Sequence, residues 1–194
     1  MLFVVNNKII FIINYKCLFS TFNNDKLTFI KKERKIENID LLPIKNFYII
    51  VKNPIKRLIS FYKDKILNQV KTLNKLSQNC IQQLLNFYDE KFIKSKKFNF
   101  SCLVDAIKKG YRNDHFNPQH ILYDDVKKFD TNINIEIMKV EDNKFNNNLK
   151  NILNIPMNKL INNTNHIIFE EELKEDDIIF LKKFYKRDYE LFNY

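Results

Sequence analysis

Glycine is almost missing, since Gly110 is the only one in the chain. No G-x-x-x-x-G-K-[ST] can be assembled around it, so the discriminating loop of a P-loop-like kinase is absent. Cysteine is scarce as well. Cys17, Cys80 and Cys102 have no metal-ligand spacing and are too few for an even disulfide framework. They point to a reducing compartment, or to indifference to oxidation. The three histidines show no metal spacing either, although His115 and His120 are close in sequence. No uninterrupted apolar run reaches membrane-spanning length. Lys8 and Lys16 interrupt the apolar stretch from Met1 to Phe22, and no small-residue cleavage site follows it. With no linker rich in Pro, Gly or Ser and no internal repeat, residues 1–194 read as one domain. That length is enough to bury a sizeable core.

Charge is present in excess of one sign. The chain has 33 basic and 23 acidic residues, a formal net charge of +10. Such a surface attracts anions, among them nucleic acid, anionic glycans and nucleotides. Runs such as Lys31-Lys32-Glu33-Arg34-Lys35 read as solvated faces. No basic stripe with interleaved aromatics and no nucleic-acid motif stands out, so a specific nucleic-acid partner is not expected. Lys, Asn, Ile and Phe abound as an AT-rich coding sequence would impose, so position must carry more of the argument than residue type.

One position is informative. Phe47-Tyr48-Ile49-Ile50-Val51 is β-branched and aromatic, as a strand covered on both faces would be. Pro54 suits the first turn of a following helix, where its missing N–H has no intrahelical partner. Lys52 stands at the strand's carboxyl end, and Arg57 and Ser60 follow on the helix. In open α/β sheets that crevice is where ligands bind, and a helix N-terminus there favours anions. The plainer alternative is an amphipathic helix with solvated charges. Upstream, Ile9-Ile10-Phe11-Ile12-Ile13 is a second apolar strand, followed by Lys16, Ser20 and Thr21. The plainer reading there is an edge strand with a snorkelling lysine, and Cys17 reads as a small buried hydrophobe.

The segment Val51-Lys52-Asn53-Pro54 continuing through Arg57, Leu58, Ser60 and Tyr62 resembles the 3′-phosphate-binding segment of PAPS-dependent sulfotransferases. It is closest to the carbohydrate sulfotransferase branch, where the segment usually reads V-R-D-P-x-x-R-L-x-S-x-Y. Lys52 stands where the family has its first arginine; it keeps the charge and loses the bidentate fork. Asn53 replaces an aspartate. The Lys16–Thr21 stretch resembles the family's P-K-x-G-x-[ST]-[ST] phosphosulfate loop, with Leu18 near the usual glycine. Asp114-His115-Phe116-Asn117-Pro118-Gln119-His120 resembles its D-x-H-W-x-P-Q segment, followed by a strand and the acidic pair Glu141-Asp142. Phe184 to Tyr194 resembles its closing Y-x-x-D-x-x-L-F-x-Y helix.

The resemblance implies an α/β, three-layer P-loop-like fold with a central parallel sheet flanked by helices. It implies PAPS (3′-phosphoadenosine 5′-phosphosulfate) as sulfuryl donor, no metal, and an acceptor hydroxyl on a carbohydrate or another alcohol. Lys16, Ser20, Thr21, Lys52, Ser60 and Arg57 would bind the cofactor. Lys16 would also be the cation on the leaving oxygen, because charge builds there during transfer. His115 is the first choice for the base that takes the acceptor proton, with His120 and Glu37 as alternatives. A loop histidine that only organises the Pro118 turn is the competing role for His115. Eukaryotic members of the branch have a membrane anchor and lumenal stem; neither is visible here, so the expectation is a soluble cytoplasmic enzyme of a microbe or virus. Two other classes stay open: a P-loop-like kinase, and a non-catalytic relative that binds an anionic polymer.

Periodicity and cap residues predict strands at Lys8–Asn14, Phe47–Val51 and Ile133–Val140. They predict helices from Ser20, over Pro54–Leu73, Gln78–Ile93, Ser101 to a Gly110 cap, Asp142–Leu153 and Glu170–Leu191. Residues Asp25 to Lys45 read as irregular.

Overall fold

In a computed structural model, residues 2–5, 9–13, 30–33, 46–67, 79–95, 97–129, 133–153 and 173–194 are described. Five strands form one sheet: β1 (Leu2–Val5), β2 (Ile9–Ile13), β3 (Ile30–Glu33), β4 (Asn46–Val51) and β5 (Ile135–Lys139). Their order is β3-β1-β2-β4-β5. The parallel part is β2-β4-β5, pairing Ile12 with Ile49 and Ile49 with Ile137. β1 runs antiparallel to both β2 and β3. The expectation of a parallel sheet therefore holds for β2, β4 and β5 and stops at the β1–β3 edge. That edge includes Ile30–Glu33, inside the stretch read as irregular.

Strand period places alternate residues on opposite faces. Ile10, Ile12, Phe47, Ile49, Val51 and Ile135 bury one face against Val126 and Phe192. Phe11, Ile13, Ile50 and Met138 bury the other against Phe145, Leu149 and Leu153. Those helical partners belong to α5 (His120–Phe129), α6 (Phe145–Leu153) and α8 (Lys186–Phe192). The fold is thus α/β with helices on both faces of a sheet whose centre is parallel, the three-layer P-loop-like arrangement.

A third core is helical. α1 (Pro54–Phe61) continues as a π-helical segment (Tyr62–Leu67), and α2 (Asn79–Leu84), α3 (Glu90–Lys94), α4 (Phe100–Lys108) and α7 (Glu175–Phe184) complete the set. Leu58, Phe61, Tyr62, Leu103, Ile107, Phe116, Leu181 and Tyr185 are buried together there. Local caps start several of these helices. The side chains of Asn53, Asp89 and Asn99 accept from the backbone N–H groups of Lys56, Phe92 and Cys102 at 3.1, 2.7 and 3.1 Å. Asp89 accordingly divides the predicted Gln78–Ile93 helix into two. Gly110, at φ +105°, closes α4. Its N–H donates to Ile107 at 3.1 Å and that of Tyr111 to Ala106 at 2.8 Å, the paired bonds of a Schellman cap. The chain's single glycine sits where a left-handed residue is required.

The predicted C-terminal helix is also two, α7 and α8, because Tyr185 at φ −101° and ψ 15° leaves the helical region. Its first-turn acids are Glu175, Asp176 and Asp177; Glu170 to Glu172 lie outside the described residues. So do the Ser20 helix and the far end of Pro54–Leu73. Among the described residues, no helix is long and apolar enough to cross a membrane.

Candidate functional site

Two side chains from distant segments hold the carboxyl end of β4. The Lys52 N–H donates to Gln119 Oε1 at 2.9 Å, and Gln119 Nε2 donates back to the Lys52 carbonyl at 2.7 Å. One buried amide side chain thus satisfies both polar groups of a residue just past the strand, where no ladder partner remains. The next N–H, of Asn53, donates to Glu141 Oε1 at 2.8 Å. Tyr194 Oη donates to Glu141 Oε2 at 3.1 Å, and Lys139 Nζ to the Asn193 carbonyl at 2.7 Å. β4 and β5 are thereby tied to the last residues of the chain.

Gln119 is in turn fixed by Asp188, whose side chain has no exposure. The Gln119 N–H donates to Asp188 Oδ2 at 2.7 Å and the His120 N–H to Oδ1 at 2.8 Å. These N–H groups stand at the start of α5, so a carboxylate from α8 caps that helix. The same carboxylate lies 2.7 Å from His120 Nδ1. Arg187 Nη2 donates to Asp124 Oδ1 at 2.7 Å, a second tie between α8 and α5.

Sequence-derived candidates fall into three groups. Lys16, Ser20, Thr21 and the alternative base Glu37 lie outside the described residues. Lys52, Ser60 and Arg57 are brought together on the β4–α1 unit. Lys52 is half-buried at the strand end and Ser60 is buried on α1. Arg57 has no exposure; its Nη2 donates to the Asn117 carbonyl, and Nε and Nη1 have no hydrogen-bond partner among the described residues. The guanidinium is therefore turned into the protein, under the 117–120 segment. Asn53 keeps the capping role of the aspartate it replaces, since either side chain accepts at a helix N-terminus equally well.

His115 packs against α1. Its ring stacks on Phe61 with centroids 5.7 Å apart, and its backbone N–H donates to Asn113 Oδ1 at 3.1 Å. The turn before Pro118 is organised by asparagines. The Asn117 N–H donates to the Asn113 carbonyl at 2.8 Å, and the Asn113 N–H to Asn117 Oδ1 at 3.0 Å. Tyr185 Oη donates to the Phe116 carbonyl at 2.7 Å, and burial pushes the Tyr185 phenol well above its ordinary pKa. Arg57 pulls that pKa the other way and Asp188 raises it further. Beside Asn53 and Ile55 opens a cavity of about 670 Å³, with Lys182, Lys186 and Tyr189 among its lining residues. Among the described residues there is no group of three or more metal-ligating side chains.

The network joins residues from Val51–Tyr62, Asp114–His120, Ile137–Asp142 and Phe184–Tyr194, four stretches far apart in sequence. The model of the sulfotransferase family matches residues 20–194, well over half of the chain. The chain belongs to the sulfotransferase family. Membership brings sulfotransfer as the general chemistry, with a transferase's need for a donor and an acceptor. Comparisons with curated proteins and with solved structures gave no match. Gln119, Glu141 and Asp188 lie within family-like segments, and the sequence assigns them no role. Their roles depend on backbone atoms many residues away, which no local pattern displays.

Proposed function

We propose that the protein transfers a sulfuryl group from PAPS to a hydroxyl of a carbohydrate acceptor. The observation that carries this reading is the pair of hydrogen bonds between Gln119 and the Lys52 peptide, anchored through Asp188. It holds rigid the strand end from which a cation would meet the 3′-phosphate. Lys52 and Ser60 bind that phosphate, as a point charge and a hydroxyl. Lys16, Ser20 and Thr21 receive the phosphosulfate. Arg57 acts from beneath, holding the 117–120 segment against α1.

In the transfer, the acceptor oxygen forms a bond to sulfur while the bond from sulfur to the 5′-phosphate oxygen breaks. Negative charge grows on that leaving oxygen and is met by Lys16. The acceptor proton passes to His115, whose ring is fixed on Phe61, the neighbour of Ser60. The asparagine-built turn beside it removes the need for His115 to organise Pro118, which favours the catalytic role over the structural one.

Calorimetric titration with adenosine 3′,5′-bisphosphate, adenosine 5′-phosphate and ATP tests the reading. Preference for the bisphosphate over the 5′-phosphate is expected. Preference for ATP would turn the assignment to phosphoryl transfer, and no nucleotide binding at all would turn it to a non-catalytic binding module.

A further inference from the structure

We infer that His120 is a third ligand for the 3′-phosphate, reaching it through Nε2, with Asp188 as the residue that positions the ring. The inference rests on the nucleotide reading above and adds a residue to that site. Three observations carry it.

First, the ring is fixed by a carboxylate that also anchors Gln119. Asp188 is wholly buried, and its two oxygens are taken by the Gln119 N–H, the His120 N–H and His120 Nδ1, at 2.7, 2.8 and 2.7 Å. A carboxylate occupied in this way settles which nitrogen is engaged within the protein. Nδ1 is committed to Asp188, and Nε2 is the nitrogen left to meet a ligand.

Second, the residue before His120 in the chain, Gln119, reaches the Lys52 peptide and grips it by both N–H and carbonyl. The imidazole therefore stands one residue from the group that binds Lys52, and Asp124–Arg187 braces the same pair of helices at 2.7 Å. Third, the side chain is accessible: it is 19% exposed, whereas its carboxylate partner is fully buried. A histidine that only capped the start of α5 would not need its ring, because the cap is made by backbone N–H groups.

A phosphate oxygen accepts from Nε2 when both ring nitrogens carry protons, Nδ1 donating to Asp188 and Nε2 to the ligand. Lys52 lacks the second prong that arginine would offer to phosphate. His120 supplies a second directional donor from the neighbouring element.

The test measures affinity for adenosine 3′,5′-bisphosphate and for adenosine 5′-phosphate in the full chain, in wild type, His120→Ala and His120→Gln. Loss of one charge-assisted bond predicts about a ten- to hundredfold weaker bisphosphate affinity in His120→Ala, with 5′-phosphate affinity unchanged. His120→Gln retains an amide donor and should fall between. A bisphosphate-to-monophosphate ratio equal to wild type in both variants overturns the inference while leaving the function standing. Equal weakening of both ligands, with a lowered melting temperature, also overturns it and assigns His120 to holding the α5 terminus. If the wild type shows no preference for the bisphosphate, the function itself is wrong and the inference goes with it.

Discussion

The aromatic helical core and the polar end of β4 share helix α1, and they are built on opposite principles. In the helical core, Phe61 meets Phe116 at 5.1 Å and Tyr62 meets Phe100 edge-on at 5.4 Å. Many interchangeable apolar contacts hold it, each small and collectively large. At the end of β4 the bonds are few, directional and made by side chains to backbone, with partners 67, 88 and 69 residues apart. The first region loses stability with the apolar volume removed. The second loses it when one partner is removed and a buried donor or acceptor is left unpaired. Apolar burial is concentrated in the core, and directional hydrogen bonding at the strand end.

Emptying the core should give the largest effect. Leu103 is fully buried on α4, and Leu103→Ala is expected to cost about 2–5 kcal/mol, read as a lower urea midpoint. The nucleotide preference of the protein that remains folded should not change. A changed preference would show that the two regions are coupled more tightly than their contacts imply.

Asp188→Asn attacks the other region. An amide offers one acceptor oxygen where two oxygens now serve three donors, so a buried donor is stranded at about 1–3 kcal/mol. Here stability and the preference for the bisphosphate should fall together. Stability loss with unchanged preference would separate the network from the site.

Ser60→Ala and Lys52→Arg probe the site with little structural consequence. A lost hydrogen bond to a charged group is worth about 1.5–3 kcal/mol, so Ser60→Ala should weaken bisphosphate binding and spare the 5′-phosphate ligand. Lys52→Arg should preserve or tighten it by restoring a bidentate fork. If neither changes the ratio of the two affinities, the 3′-phosphate is bound elsewhere.

Tyr185→Phe is the smallest change and lies where the regions meet. It removes one hydrogen bond, to the Phe116 carbonyl, at about 0.5–1.5 kcal/mol near neutral pH. At alkaline pH the sign turns. Burial holds the folded-state phenol above the ordinary 10.0, so the fold binds this proton more tightly than the unfolded chain does. Its contribution is complete below pH 10 and is lost as pH rises beyond it. Denaturant midpoints measured upward from pH 10 should therefore decline less steeply in Tyr185→Phe than in wild type.

Strands β2, β4 and β5, helix α1 with its Asn53 cap and Pro54, and the Gly110 terminus of α4 were all legible in the sequence. So was the placing of Lys52 at the end of a strand, with Ser60 on the helix that follows. Each rests on a pattern confined to a few neighbouring residues: an apolar run, a cap side chain, a glycine where φ is positive. The antiparallel β1 and β3, the division of the C-terminal helix at Tyr185 and the whole of α5 escaped that reading. In α5 the reason is plain, since its cap is Asp188, a carboxylate that no local sequence search would assign to it. The amino-acid sequence by itself determined the elements and the residue types available to meet an anion. Only the tertiary structure decided that Gln119 would close on Lys52 and that Asp188 would hold both Gln119 and His120. Such bonds join segments that meet only after the sheet and its covering helices have formed.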